Sequence, residues 1–125
     1  MKKEEHKKTV VIGASLKPYR YSHTAVEMLS RFRHPVVAVG LRQGKIGEVE
    51  VETGRPEVKH VHTVTMYIGP DKQPMFYDYI LDTLQPKRII FNPGTENPEL
   101  WQMAQRRDIE VVENCTLMML SHGNF

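Results

Sequence analysis

The sequence predicts an α/β fold: a doubly wound, mostly parallel sheet of five strands in a single domain. Three observations predict it. Short β-branched runs recur as continuous apolar blocks, as in strands buried on both faces. Amphipathic stretches at helical spacing separate most of these runs. The 125 residues, 40% hydrophobic and 26% charged, amount to one ordinary globular domain that buries roughly two-thirds of its unfolded surface.

Thr9-Val-Val-Ile12 is the first strand, stopped by Gly13, and a polar loop runs on to His23. Ala25, Val26, Met28, Leu29 and Phe32 then recur at helical spacing, with Thr24 and Glu27 as a capping box and Pro35 as the stop. Val36-Val-Ala-Val39 is the second strand and Val61–Ile68 the third. A helix over Met75–Leu84 carries Phe76, Tyr79, Ile80 and Leu84 on one face and is closed by Pro86. Arg88-Ile-Ile-Phe91 is the fourth strand. Asn97 caps a helix with Pro98 at its first position and Leu100, Trp101 and Ala104 inward. Ile109-Glu-Val-Val112 is the fifth strand, and Thr116–Ser121 a short final helix. Crossover helices between parallel strands make the pattern Rossmann-like. The exception is 40–60, where Ile46, Val49 and Val51 alternate as a short extended segment without a helix.

Residues 1–8 are charged and read as a solvated, disordered tail, leaving 9–122 as the folded domain. That start has no apolar stretch of a secretory signal, and no apolar run approaches the roughly 20 residues of a membrane span. A cytoplasmic location and no membrane partner are expected. One cysteine excludes an internal disulfide framework. Net charge is +2, from 17 basic and 15 acidic residues, too balanced to argue for nucleic acid.

In an open α/β sheet, ligands bind beyond the carboxyl ends of the strands. The first such loop carries Gly13, Ala14, Ser15, Lys17, Arg20 and Ser22. It departs from G-x-G-x-x-G, since Ser15 and Pro18 stand where glycines belong. Gly13 still permits a tight turn, the serines offer hydroxyls, and Lys17 and Arg20 add charge beside the start of a helix. A solvated connection fits the same residues. After the second strand come Gly40, Leu41 and Arg42, with no carboxylate to hold a NAD ribose diol. An arginine there suits a ribose phosphate, either NADP or coenzyme A (CoA); a plain surface arginine is the other reading.

These residues resemble the small stand-alone CoA-binding proteins, similar to the N-terminal domain of the succinyl-CoA synthetase α subunit. The resemblance runs from about Thr9 to Leu120. It rests on Gly13-Ala14-Ser15, Lys17-Pro18 and Arg20-Tyr21-Ser22, on Arg42 after the second strand, and on Asn92-Pro93-Gly94. Asn97-Pro98-Glu99 and Cys115 complete it. The family's Asn-Pro before the charged residue is replaced here by Gly40-Leu41. The resemblance implies a CoA nucleotide in the crevice, with Ser15, Arg20 and Ser22 near its phosphates and Arg42 near the 3′-phosphate. Gly40, Asn92 and Gly94 would complete the cofactor-binding set.

No catalytic constellation and no metal site emerge from the spacing. The phosphohistidine and nucleotide-grasp domains of the larger synthetases have no counterpart here. His60 and His62 share a strand face without a third ligand, His23 lies beside the first loop, and Cys115 fits either a core residue or a thiol at the ligand edge. The Leu117–Leu120 run fits the core or an oligomer face. Three readings stand: a non-catalytic CoA or acyl-CoA binding protein, an NADP-binding domain or reductase, and a degenerate module that contacts protein partners. The partner set is a small nucleotide ligand, with a homo-oligomer or a partner enzyme as further options.

Overall fold

The computed structural model describes residues 6–125. The strands are β1 (Thr9–Ala14), β2 (Val36–Gly40), β3 (Gly44–Ile46), β4 (Val49–Glu52), β5 (Thr63–Met66), β6 (Arg88–Phe91) and β7 (Glu110–Glu113). The α-helices are α1 (Tyr21–Arg31), α2 (Pro98–Gln105) and α3 (Thr116–His122). They form one seven-stranded sheet in the order β3-β4-β2-β1-β5-β6-β7. Every pairing is parallel except β3 with β4. The chain lays β2 beside β1, then crosses to the other side of β1 for β5, so the strand order reverses around β1.

The strand count corrects the expected five. The five apolar runs are β1, β2, β5, β6 and β7; the other two strands come from the connection after β2. There Ile46 and Val51, 2% and 3% exposed, bury their side chains against the α1 face. Runs of three and four residues are too short for periodicity to reveal pairing.

Helices cover both faces. Val11, Val26, Leu29, Ala38 and Leu120 pack together on the α1/α3 side. Val10, Ile12, Met66, Ile80, Phe91 and Leu100 pack on the other, beneath α2 and Tyr79–Leu84. Trp101 is half-buried and stacks on Phe91, with ring centroids 6.3 Å apart.

Three further local expectations are corrected. The first strand does not stop at Gly13: it continues to Ala14 through a register shift between Ile12 and Ala14, which Gly13 permits with φ +97°. The Thr24/Glu27 capping box does not form, because α1 begins a turn earlier, with Arg20 at the N-cap position. The Met75–Leu84 helix is not α-helical. It is a 3-10 turn, Gln73–Phe76, followed by a π-helical segment, Tyr79–Leu84. The Gln85 N–H reaches back five residues to the Ile80 carbonyl at 3.0 Å. That wider turn lets Tyr79, Ile80, Leu81 and Leu84 all bury. The Asn97 cap forms as its sequence implies: its Oδ1 accepts from the N–H groups of Glu99 and Leu100 at 3.1 and 3.3 Å.

Of the expected tail, residues 1–5 lie outside the described residues. Lys7 and Lys8 are bonded to the domain: Lys7 N–H donates to His34 Nδ1 at 2.9 Å, and the Lys8 carbonyl accepts from His62 and Thr63.

Candidate functional site

The strand order reverses around β1, so the loop after β1 and the loop after β5 emerge side by side, the position where open α/β sheets bind ligands. The first of these is built tightly. Gly13 lies so close to the loop after β5 that a Cβ there would stand 2.9 Å from the Tyr67 carbonyl carbon and 2.8 Å from Ile68 Cγ2. Ser15 Oγ accepts from the Lys17 N–H at 3.1 Å, and the Lys17 carbonyl accepts from the Arg20 N–H at 3.0 Å. The Arg20 carbonyl in turn accepts from His23 at 3.1 Å, closing the first turn of α1. No side chain caps that turn, so the N–H groups of Tyr21 and Ser22 are left to solvent or a ligand.

Lys17 and Arg20 are exposed, while Ser22 is buried at 5%. Arg20 lies 5.7 Å from the ring centroid of Tyr19. Ala14 is paired with Gly40, so the loop after β2 emerges directly beside the loop after β1. A Cβ on Gly40 would sit 2.3 Å from the Ala14 carbonyl oxygen. That is backbone contact, and only glycine fits it. Arg42, two residues on, is exposed, and Leu41 between them is 93% exposed. Gly13, Ala14, Ser15, Lys17, Arg20, Ser22, Gly40 and Arg42 are therefore gathered at one edge.

Asn92 and Gly94 stand two strands away from β1, after β6. The Asn92 amide donates to Thr65 Oγ1 at 2.7 Å and to the Met66 carbonyl at 2.8 Å, and its Oδ1 accepts from Thr116 N–H at 2.8 Å. Its side chain thus ties β5, β6 and α3 together. Gly94 N–H donates to Glu96 at 2.9 Å.

The edge also holds groups that the sequence did not single out. Gln73, fully buried, donates to the carbonyls of Ile68 and Thr95 at 3.0 and 2.8 Å and accepts from Asn97 Nδ2 at 2.8 Å. It thereby holds the loop after β5 to the loop after β6. Nothing in the local sequence marks this glutamine. A signal did exist for the neighbouring hydroxyls: Thr63 and Thr65 put polar groups on one face of an otherwise apolar strand. Thr65 and Thr116 share a hydrogen bond of 2.8 Å. Burial pushes the Tyr67 phenol up, with the nearby Thr116 and Thr65 hydroxyls opposing and Cys115 adding to the shift. Cys115 is half-buried and stands at the N-cap of α3. The His23 ring lies 3.2 Å from Glu27 on α1. Among the described residues, no three His, Cys, Asp or Glu gather as a metal site, and no helix is long and apolar enough to cross a membrane.

A parallel sheet with a strand-order reversal, a tight glycine turn and an uncapped helix start defines the Rossmann-like α/β class. The CoA binding domain family matches residues 7–121, and the chain belongs to that family, which is related to the N-terminal domain of the succinyl-CoA synthetase α subunit. Membership supports CoA-related binding.

Among solved structures, an uncharacterised protein is 43% identical, with a TM-score of 0.93, over 98% of this chain and 100% of its own. A redesigned binding variant of the PH1109 protein is 20% identical, with a TM-score of 0.81, over 95% of this chain and 84% of its own. A protein from Thermus thermophilus is 22% identical, with a TM-score of 0.77, over 95% and 91%. The latter two show the shared fold. No curated protein matches the chain.

Proposed function

We propose that the protein binds CoA or an acyl-CoA without turning it over, with the nucleotide at the carboxyl edge of the sheet. The observation that carries this reading is the family match over 7–121, taken with the Gly13–Ser22 loop beside the order reversal. In this reading the first-turn N–H groups of α1, Ser15 and Ser22 face the diphosphate, and Lys17 and Arg20 supply its countercharge. Arg42 pairs with the 3′-phosphate, and Gly13, Ala14 and Gly40 let backbone approach the ligand closely. Asn92 acts through its bonds to β5 and α3, and Gly94 shapes the loop after β6. Residues 9–122 form the binding unit, working in the cytoplasm alone, as a homo-oligomer or beside a partner enzyme.

NADP is the second reading, because Arg42 without a neighbouring carboxylate serves a 2′-phosphate equally well. Calorimetry with CoA, dephospho-CoA, NADP and NAD in parallel decides between them. CoA should bind more tightly than dephospho-CoA by roughly 1.5–3 kcal/mol, the worth of a hydrogen bond to a charged group. Arg42→Ala should erase that difference. Equal affinities for the two CoA forms would remove Arg42 from the site, and tighter NADP binding would select the second reading.

A further inference from the structure

At the opposite end of the sheet, where β1, β5 and β6 begin, lies an open cleft of about 570 Å³. Lys7, Lys8, Lys59 and Lys87 line it, and among the described residues Glu57 is its one carboxylate. The local excess of three positive charges is larger than the +2 of the whole chain. Taken together, the rest of the molecule is slightly acidic, so the cation excess is concentrated here.

Like charges gathered this way repel, and the fold holds them in place. Lys8 Nζ donates to the Lys59 carbonyl at 2.8 Å, and Lys7 Nζ to the terminal carboxyl oxygen of Phe125 at 2.5 Å. The side-chain ion pairs among the described residues, His23 with Glu27 and Arg107 with Asp82, leave Lys8, Lys59 and Lys87 without a carboxylate partner. Arg88, next to Lys87, is 5% exposed, and its Nη2 has no hydrogen-bond partner. Its Nε donates to Thr63 Oγ1 at 2.9 Å, and Glu110, its register partner on β7, is its countercharge.

One structural explanation is that the lysines answer the carbonyl end of the π-helical segment, which forms a wall of the cleft. A helix end carries only about half a negative charge, too little to gather four ammonium groups. The bonds that Lys7 and Lys8 make also run to backbone oxygens of other segments.

We propose that this cleft is a second anion site, one that takes a compact ligand carrying two or more phosphate groups. The lysines come from three separate segments and surround a space much larger than one phosphate, so several closely spaced charges fit it better than a single oxyanion. Ammonium groups suit phosphate as point charges. β1 has six residues, which sets the two ends of the sheet about 20 Å apart. The proposal does not depend on what the carboxyl edge binds.

The test titrates tripolyphosphate into the full chain at about 20 mM salt, where screening is weak, by calorimetry and by NMR. The expected result is one-to-one binding, with amide shifts at Lys59, His60 and Lys87. The double variant Lys59→Glu, Lys87→Glu, both at exposed positions, should weaken binding about tenfold or more while keeping the wild-type melting curve. Arg42→Ala should leave it unchanged. No binding at low salt overturns the proposal. So does binding that Arg42→Ala abolishes and the double variant keeps, which would move the anion to the carboxyl edge. A short DNA duplex that binds more tightly than tripolyphosphate also overturns it, in favour of a nucleic-acid surface.

Discussion

Asn92 follows the fourth apolar run, at a position where the sequence suggests a nucleotide contact, and its carboxamide spends three hydrogen bonds inside the protein. Two of its partners are backbone groups, from Met66 and Thr116. Asn92→Leu should destabilise the fold by about 2–4 kcal/mol, since buried donors and acceptors are left without partners. Urea unfolding measures this, and a loss below about 0.5 kcal/mol, the scale of a surface change, would mean that the network carries no load. Tyr79 offers a second residue-scale prediction. Burial, with Glu52 helping and Arg55 opposing, pushes its phenol up to about 12. A phenol raised in the folded state contributes stability that is complete below its ordinary value of 10.0 and is lost as pH rises through the folded value. Absorbance titration should therefore show one tyrosine ionising near pH 12 that disappears in Tyr79→Phe, with stability falling from about pH 10 upward.

At the level of elements, α1 and α2 start by different means. Asn97 caps α2 through its side chain and also bonds Gln73 and Tyr77. Asn97→Ala should cost about 1–2 kcal/mol, the upper part of the range for a lost N-cap. Thr24 lies inside α1, three residues past its start, so Thr24→Ala should stay within about 0.5 kcal/mol of wild type. Thermal melts of the two variants, compared side by side, check the assignment; a Thr24→Ala cost equal to that of Asn97→Ala would restore the capping box. The missing cap on α1 fits the proposed ligand edge, because a side chain there would compete with a phosphate for the first-turn N–H groups.

Across the whole molecule, protection should follow the order of the sheet. β1 lies between β2 and β5 with helices above and below, while β3 is a three-residue edge strand. Native-state hydrogen exchange should show β1, β5 and β6 opening near the global unfolding free energy and β3 opening well below it. Edge amides as slow as those of β1 would contradict the hairpin. The charge distribution runs along the strands instead, with Lys17, Arg20 and Arg42 at the carboxyl edge and the four-lysine cleft at the amino edge.

The amino-acid sequence by itself determined the strands and helices whose pattern is long enough to carry a period. These are five apolar runs, the α1 and α2 faces, the Asn97 cap and the crossovers that force a parallel sheet. It also placed Gly13 to Ser22 beside Gly40 and Arg42, because those loops follow strands that the topology makes neighbours. Tertiary structure decided the rest, for reasons that are not local. The β3–β4 hairpin exists because Ile46 and Val51 find a core surface supplied by α1 and β2. The π-helical turn exists because Tyr79 through Leu84 must bury more side chains than an α-helical face allows. Gln73 acquires its role only where the loops after β5 and β6 meet. The basic cleft, too, is assembled from residues 7–8, 57–60 and 87, stretches far apart along the chain that close into one surface only when the strands pair.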